Sequence, residues 1–322
     1  MTIAAVVVTY NRKQRLLECM DALLGQTRPL DKVILIDNAS TDGTPDLLKE
    51  KGYLDSGRLD YVGLPENTGG GGGFSFGIQR GCDAGYDWLW LMDDDAVPNK
   101  DALMTLLSSP HVEDAETGAL LCSVRDGDLQ LETRSAGSII RCEQVFNNKL
   151  LTTKDFDQPL LRVTSYPLLG VLVRTRVVLE VGNLRPEFFF QADDLDFTMR
   201  IAGKYKLWVV RDSILVHKAQ KEQSASRYVP LLRKNKHFLS IGEQWKDYYG
   251  CRNYVYIVVR RTSKARACKV LLGYIRTMAS LFLFADHKFM RVSLYARAML
   301  DGITGNLGKR VDPVEWHRRL KS

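Results

Sequence analysis

The sequence predicts an α/β protein with a doubly wound, mostly parallel sheet and a helical extension at its C-terminal end. Three observations carry this. Apolar, β-branched runs alternate with helical periods within the first 65 or so residues. Those runs end in clusters of turn-forming polar residues. Beyond Gln220 the chain turns basic, with apolar residues at helical spacing. Its 322 residues, 45% of them hydrophobic, suffice for one large domain or a domain plus an extension.

Ile3 to Val8 is an unbroken apolar run and reads as a buried strand. Asn11 is placed to cap a helix carrying Leu16, Leu17, Met20, Leu23 and Leu24. Lys32 to Ile36 is a second buried strand, closed by the loop Asp37-Asn38-Ala39-Ser40-Thr41-Asp42-Gly43. A helix over about Thr44 to Lys51 and a strand near Leu59 to Gly63 complete a β-α-β-α-β order, the pattern of a parallel sheet. Five glycines, Gly69 to Gly73, then lead through Phe74-Ser75-Phe76-Gly77 into a helix ending near Gly85. Trp88 to Met92 is a strand, followed by Asp93-Asp94-Asp95 and a helix from about Lys100 to Leu107. After Leu120 the pattern changes to short strands and turns up to about Val173, with a helix from about Arg176 to Val181 ending at Gly182. Asp193-Asp194-Leu195-Asp196 opens an amphipathic helix into Ala202, and Trp208–Val210 and Ile214–His217 read as closing strands. Everything after Gln220 reads as mostly helical.

Charge is unevenly spread. From Lys218 onward there are 22 Lys+Arg against 7 Asp+Glu, a balance of +15, whereas the first 217 residues carry −8 within an overall formal charge of +7. A basic tail of this kind suits an anionic surface: nucleic acid, phospholipid or a diphosphate-bearing acceptor. The six cysteines form no CxxC pair, so neither a zinc site nor a disulfide framework is indicated, and reduced thiols are the simplest account. Ile3 to Val8 is too short for a secretory leader. The apolar run Val270 to Ala285 spans 16 residues and is interrupted by Arg276, short of the roughly 20 that cross a bilayer. No spanning helix is expected.

The triple aspartate is the most informative stretch. Three carboxylates at a strand end repel one another unless a cation neutralises them, and hard divalent cations favour carboxylate oxygens. Alternation along an extended segment would point Asp93 and Asp95 one way and Asp94 the other, a two-carboxylate clamp at the carboxyl end of a strand. His217, at the end of an apolar strand, is a candidate third ligand, and imidazole among carboxylates favours Mn²⁺ over Mg²⁺. Asp37 can accept a hydrogen bond from a pyrimidine N3–H or can simply cap its loop. Arg12 can reach a diphosphate or can be a solvated arginine at a helix start. Gly69 to Gly73 can cradle a phosphate, pack a helix start against a sugar nucleotide, or serve backbone conformation alone. In the second acidic cluster, apolar walls suit a general base, while acids also favour the first turn of any helix. Helical spacing sets Asp193 and Asp196 near one face and Asp194 apart.

Taken in order, Val6-Val7-Val8-Thr9-Tyr10-Asn11-Arg12, Ile36 to Thr44, Met92-Asp93-Asp94-Asp95, Asp193-Asp194-Leu195-Asp196 and Val216-His217 resemble the family 2 glycosyltransferases with the GT-A fold. The resemblance covers roughly residues 1 to 220. It implies a catalytic domain over 1–220 and a basic helical region over 221–322 associated with membrane or acceptor. It also implies an inverting, metal-dependent enzyme using Mn²⁺ or Mg²⁺, with metal ligands Asp93, Asp95 and His217. The nucleotide-sugar donor would contact Thr9, Arg12, Asp37, Gly69, Gly70, Asp93 and Asp94, and Asp194 would be the general base. Within the family, Asn67-Thr68-Gly69-Gly70 through Phe74 with the triple aspartate looks most like bacterial galactofuranosyltransferases, although Gly71 replaces their alanine and Ala192 their tryptophan before the acidic pair. The rhamnosyltransferase branch, using dTDP-rhamnose, shares most other motifs, and Tyr248-Tyr249-Gly250-Cys251-Arg252-Asn253 resembles both. The implied donor is UDP-galactofuranose and the acceptor a lipid-diphosphate-linked cell-surface glycan. The implied location is cytoplasmic, peripheral on the inner face of the membrane, with a homo-oligomer left open. A nucleic-acid-binding protein is disfavoured because Leu, Ile and Phe stripes accompany the basic residues of the tail. A nucleotidyltransferase is disfavoured because Arg12 alone is thin for a phosphate grip.

Overall fold

The computed structural model describes residues 1–126, 158–218 and 239–320, together with the backbone of short strands at 134–135, 138–139, 141–142, 224–229 and 234–238. The chain divides into two compact units, Met1–Pro186 with Asp193–Ala219, and Glu187–Ala192 with Gln220–Ser322.

In the first unit, β1 (Ile3–Thr9), α1 (Lys13–Leu24), β2 (Lys32–Asp37), α2 (Thr44–Glu50) and β3 (Leu59–Gly63) form the expected alternation. They are followed by α3 (Gly69–Asp83), β4 (Trp88–Asp93), β5 (Ala96–Pro98), α4 (Ala102–Leu107) and β6 (Thr117–Arg125). The short strands β7 (Arg134–Ser135), β8 (Ser138–Ile139) and β9 (Arg141–Cys142) come next. Then come β10 (Leu160–Ser165), β11 (Leu169–Arg174), α5 (Thr175–Val181), α6 (Asp193–Ala202) and β12 (Lys206–His217). Among the described residues one sheet runs β3-β2-β1-β4-β11-β6-β12-β10-β9, and β5 pairs with β12. The β3-β2-β1-β4 half is parallel, and β1, β2 and β4 are buried on both faces as their apolar runs require, while β3 is half-buried. The other half is mixed: β11 runs antiparallel to β4 and β6, while β12 runs parallel to β6.

The glycine run lies inside a helix, not ahead of it. Glycine costs up to about 1 kcal/mol per residue relative to alanine in a helix, so a contact must compensate. That contact is the sheet. An added Cβ would stand 2.6 Å from Val8 Cγ1 at Gly73, 2.5 Å from Val6 Cγ1 at Gly77 and 2.5 Å from Leu89 Cδ2 at Gly81. Spaced four apart, these three glycines form one helix face and let α3 lie directly on β1 and β4. Asn11 also departs from expectation. It adopts φ 54°, gives α1 no side-chain cap, and its Oδ1 accepts from Thr41 N at 2.7 Å, pinning the loop after β2.

The second unit begins with an antiparallel hairpin, β13 (Ser224–Val229) and β14 (Lys234–Leu239), where the sequence reading expected helix. Helices α7 (Gln244–Arg261), α8 (Lys264–Phe284), α9 (Lys288–Thr304) and α10 (Pro313–Arg319) follow. Their core gathers Tyr248, Tyr249, Val255, Leu281, Leu294, Ala298 and Trp316, together with Phe189 from the strap Glu187–Ala192. Helix α8 begins six residues before the apolar run and reaches 21 residues, long and apolar enough to cross a membrane by length and composition. This corrects the expectation drawn from 16 apolar residues alone, because Ser263 caps the helix through Arg266 N and sets its start upstream of that run. Its apolar residues divide between two faces. Leu271, Met278 and Leu281 pack into the cluster, whereas Leu272, Ile275, Phe282 and Leu283 are exposed.

Gly77→Ala should lower stability by about 1–3 kcal/mol in urea melts, the usual cost of overpacking. Gly70→Ala, whose added Cβ meets only Asp193 Oδ2 at 3.9 Å, should leave stability unchanged or slightly raised. Equal melts for Gly77→Ala and the parent would refute the close-contact account of the glycine face.

Candidate active site

The parallel half of the sheet aligns the ends of three strands. Thr9 is in register with Asp37 across β1 and β2, and Val8 with Asp93 across β1 and β4. The strand order reverses between β1 and β4, the switch point where open α/β sheets bind ligands outside their carboxyl ends.

Strand β4 stops at Asp93, and Asp94 and Asp95 form the turn into β5. Side-chain alternation therefore does not extend past Asp93, and Asp94 does not point away from Asp95. Arg12 Nη1 donates to both, at 3.3 Å to Asp94 Oδ1 and 2.9 Å to Asp95 Oδ2. Thr9 Oγ1 donates to Asp94 Oδ2 at 2.7 Å. Pairing of β5 with the end of β12 sets His217 opposite Ala96, which brings His217 Nε2 to 3.4 Å from Asp95 Oδ1. Both are buried, at 5% exposure each.

The charges follow from this packing. Burial, then Asp95 and Asp94, raise Asp93 well above the usual carboxylate range. Burial pushes Asp94 up to about 6 against the pull of Arg12 and Thr9. Burial acts the same way on Asp95, but His217 and Arg12 outweigh it and hold that carboxyl below its ordinary value. Arg12 loses solvent yet is raised by Asp94, Asp95 and Asp93. Arg12 thus serves the acids as their internal counter-charge in this structure, whereas the sequence reading offered it to a diphosphate.

Asp37 ends β2 at 2% exposure. Its Oδ1 accepts from Ser40 N at 2.8 Å and its Oδ2 from the Tyr61 hydroxyl at 2.9 Å. Asn38 spans from this loop to the start of α3, accepting from Thr68 N at 2.9 Å and donating to Gly69 O at 2.9 Å. Gly69 takes φ 75°, which glycine adopts without strain. Asp193, in the first turn of α6, lies against this helix start, near Gly70 and Gly71. Burial, and then Asp194, push its carboxyl up to about 7. Asp194 Oδ1 accepts from Leu195 N at 2.6 Å, and its backbone carbonyl accepts from Thr198 Oγ1 at 2.7 Å. Asp196 is fully buried and pairs with Arg185 Nε at 3.2 Å and Arg200 Nε at 2.9 Å. It is a structural tie, since Arg200 also donates to the carbonyls of Val181 and Asn183.

The structure therefore gathers Thr9, Arg12, Asp94, Asp95 and His217 into one cluster beside Asp93, and Asp37, Gly69, Gly70 and Asp193 about the start of α3. The sequence reading missed Tyr61 and Asn38. The register that sets β3 beside β2 is what brings Tyr61 to Asp37, and the only local sign of Asn38 is that it follows a strand-end acid. As they stand, no three His, Cys, Asp or Glu side chains among the described residues converge closely enough to hold a metal ion. The donor set nevertheless suits a hard cation. It offers carboxylate oxygens and an imidazole, its acids repel one another, and the buried Asp95 Oδ1 faces His217 Nε2 at 3.4 Å.

A mixed α/β sheet with acids at its switch point defines a GT-A glycosyltransferase fold, and comparison with known proteins agrees. Residues 4–161 match the model of Glycosyl transferase family 2. Residues 4–161 thus carry a family 2 glycosyltransferase domain, and the chain resembles galactofuranosyltransferases. It is 35% identical to galactofuranosyltransferase GlfT1 of Mycolicibacterium smegmatis over 126 residues, 38% of this chain and 40% of that protein. It is 26% identical to galactofuranosyltransferase GlfT1 of Mycobacterium tuberculosis H37Rv over 260 residues, 80% of this chain and 82% of that protein. Among solved structures it resembles GalNAc-T7 with UDP, GalNAc and Mn²⁺, at TM-score 0.60 and 16% identity over 80% of this chain and 47% of that one. It also resembles S. aureus TarS 1–349 in complex with UDP-GlcNAc, at TM-score 0.58 and 16% identity over 94% of this chain and 82% of that one. At these identities the structural likeness speaks for the fold.

Because the folded chain holds the Asp193 proton more tightly than the unfolded one does, this residue's contribution to stability should fall as pH rises from about 4 to about 7. Asp193→Asn should flatten that fall and raise Tm at pH 7 in metal-free buffer. Unchanged pH dependence of the melt would remove Asp193 from the set of strained acids.

Proposed function

We propose that this chain transfers galactofuranose from UDP-galactofuranose to a lipid-diphosphate-linked glycan, with inversion at the anomeric carbon and dependence on a divalent cation. The observation that carries the proposal is the alignment of Asp37, Thr9 and Asp93 at adjacent strand ends, with Asp94, Asp95, Arg12 and His217 gathered beside them. Two galactofuranosyltransferases among the relatives support the choice of sugar. Structures of the same fold with UDP and with UDP-GlcNAc support a uridine-diphosphate donor.

In this reading the base of the donor is recognised by the Asp37 carboxylate, which Tyr61 and Ser40 already orient. Mn²⁺ or Mg²⁺, when bound, would be held by Asp93, Asp95 and His217 and would neutralise the departing diphosphate. Asp93, raised by burial and its neighbours, would give up its proton as cation binding compensates the repulsion. Arg12, already beside the acids, would move between them and the diphosphate. Gly69 and Gly70 would bring backbone close to the sugar nucleotide. Asp194 would accept the proton of the attacking acceptor hydroxyl, while Asp193 stays against Gly70 and Gly71. A single displacement follows from the family resemblance and inverts the anomeric centre. Ala192 stands where galactofuranosyltransferases carry tryptophan, and a rhamnosyltransferase using dTDP-rhamnose, whose branch shares most other motifs, is the alternative reading.

We further propose that the helical unit rests on the inner leaflet of the membrane, where the acceptor resides. Arg261, Lys264, Lys269, Arg276 and Lys288 are exposed beside exposed Leu272, Ile275, Phe282, Leu283 and Phe289. Apolar side chains with flanking cations suit an anionic interface, each surface Lys or Arg adding about 1 kcal/mol. The opposite face of α8 packs on the protein, which favours lying on the membrane over crossing it.

Purified protein with Mn²⁺, a polyprenyl-diphosphate glycan and either UDP-galactofuranose or dTDP-rhamnose tests the reaction, with the product anomer read by NMR. Asp194→Asn should retain donor binding while transfer falls about 10²–10⁴-fold, the range for general acid–base catalysis. A large loss from Asp193→Asn with none from Asp194→Asn would overturn the assignment and make Asp193 the base.

Liposome flotation tests the surface. Binding should rise with anionic lipid and fall with salt, since charge attraction is screened over about 8 Å at physiological ionic strength. Replacing Arg261, Lys264, Lys269 and Arg276 with Gln should weaken it without changing the melt. Arg260 is left intact because it donates to Gly302 O and stacks on Tyr256. No flotation at any lipid composition would overturn the membrane assignment.

A further inference from the structure

The strap that precedes the acidic pair is strained and fastened. Phe189, Gln191 and Ala192 all take φ 62°, the left-handed region that L-residues avoid. Three such residues among four persist only where surrounding contacts impose them. Here the contacts come from two consecutive residues of α7, Arg252 and Asn253, both fully buried. Asn253 Nδ2 faces three strap carbonyls, Phe188 O at 3.0 Å, Phe190 O at 3.0 Å and Gln191 O at 2.7 Å. Arg252 Nη2 donates to Glu187 O at 3.1 Å and Phe188 O at 2.9 Å, and its Nη1 to Gly308 O at 2.6 Å. Arg252 Nε donates to Asn253 Oδ1 at 2.8 Å, which orients the amide so that its N–H groups face the strap. Phe189 packs on Tyr249 and Phe190 on Trp245. Gly250 completes the fit, because any Cβ there would run into Gln191 Oε1.

We propose that Arg252 and Asn253 are positioning residues for the transfer reaction, acting on Asp193 and Asp194 through the strap. The inference rests on the proposed role of that pair. Ala192 is followed directly by Asp193, the first residue of α6, so the strap is the segment of chain that leads into both carboxylates. A cluster of buried side-chain donors on strap carbonyls holds one left-handed path that the local sequence disfavours. Neither residue needs to touch donor or acceptor. Loss of the clasp lets the strap relax toward ordinary φ values and displaces the acids from their working position, while the strand-end groups that hold the donor stay in place.

The test uses the full chain and two readouts. Asn253→Ala should speed amide exchange across 187–194, measured by hydrogen-exchange mass spectrometry, while exchange in β1, β2 and β4 stays at the parent level. In transfer assays kcat should fall by about 10²-fold, as for a misplaced catalytic group, with KM for the donor within about 3-fold of the parent. Adding Ala192→Gly should recover a substantial part of kcat, because glycine adopts the left-handed conformation without needing the clasp. Rescue by glycine is an outcome that mere loss of packing would not produce. If Asn253→Ala does not fold, Arg252→Lys, which keeps the charge but loses the planar fork, carries the same comparison. An unchanged kcat in a folded variant, or unchanged strap exchange, would overturn the proposal. If the parent protein itself transfers sugar from none of the donors, the transferase reading fails, and strap exchange alone decides whether the clasp exists.

Discussion

The arrangement of this site follows from one electrostatic constraint: three consecutive carboxylates, Asp93 to Asp95, stand where a strand buried through Met92 gives way to a turn. Water cannot neutralise Asp94 and Asp95 at 3% and 5% exposure, so the protein must. It does so from three directions in the chain, with Arg12 after β1, the Thr9 hydroxyl at the end of β1, and His217 at the end of β12. Each partner depends on sheet order. Arg12 and Thr9 arrive because β1 lies beside β4, and His217 because β5 folds back onto β12. The compensation is incomplete, since Asp93 stays raised well above the usual carboxylate range. That shortfall is what the proposed cation, or a rearrangement of Arg12, would make good.

The same sheet order governs the start of α3. Placing α3 on β1 and β4 requires a helix face without side chains, and Gly73, Gly77 and Gly81 supply it. The consequence is local: the start of α3 comes down beside the loop after Asp37, close enough for Asn38 to bond both Thr68 and Gly69. Asp193 then meets the glycine run from the other direction in sequence. Packing economy in the glycine helix and the chemistry at its N-terminus are therefore one arrangement.

The acidic cluster of α6 shows how a motif divides its labour. Three acids share the first turn, and the macrodipole favours all of them. Their fates differ because their neighbours differ. Asp196 meets two arginines and becomes a buried ion pair; Asp193 meets glycine backbone and stays proton-hungry; Asp194, second in the helix, accepts from Leu195 N. The strap before them takes a path that its own sequence resists, held by side chains 60 or so residues later.

Much was legible in the sequence. The β-branched runs, the turn clusters that close them and the order of the acidic motifs were enough for the fold class, the switch-point acids and the charge split, because each is a local or compositional property. The chain alone could not say that Asp94 shares Arg12 with Asp95, since a period-two rule holds only while the strand continues. Nor could it say that the glycine run is helical, that Tyr61 reaches Asp37, or that Arg252 and Asn253 hold the strap. Helix propensity argues against the first, and the others join residues 24 to 65 positions apart. Local propensity selected the elements and composition the sites where charge had to be resolved. Which groups resolve it was decided by strand register and helix packing, because only these bring together side chains that the sequence keeps far apart.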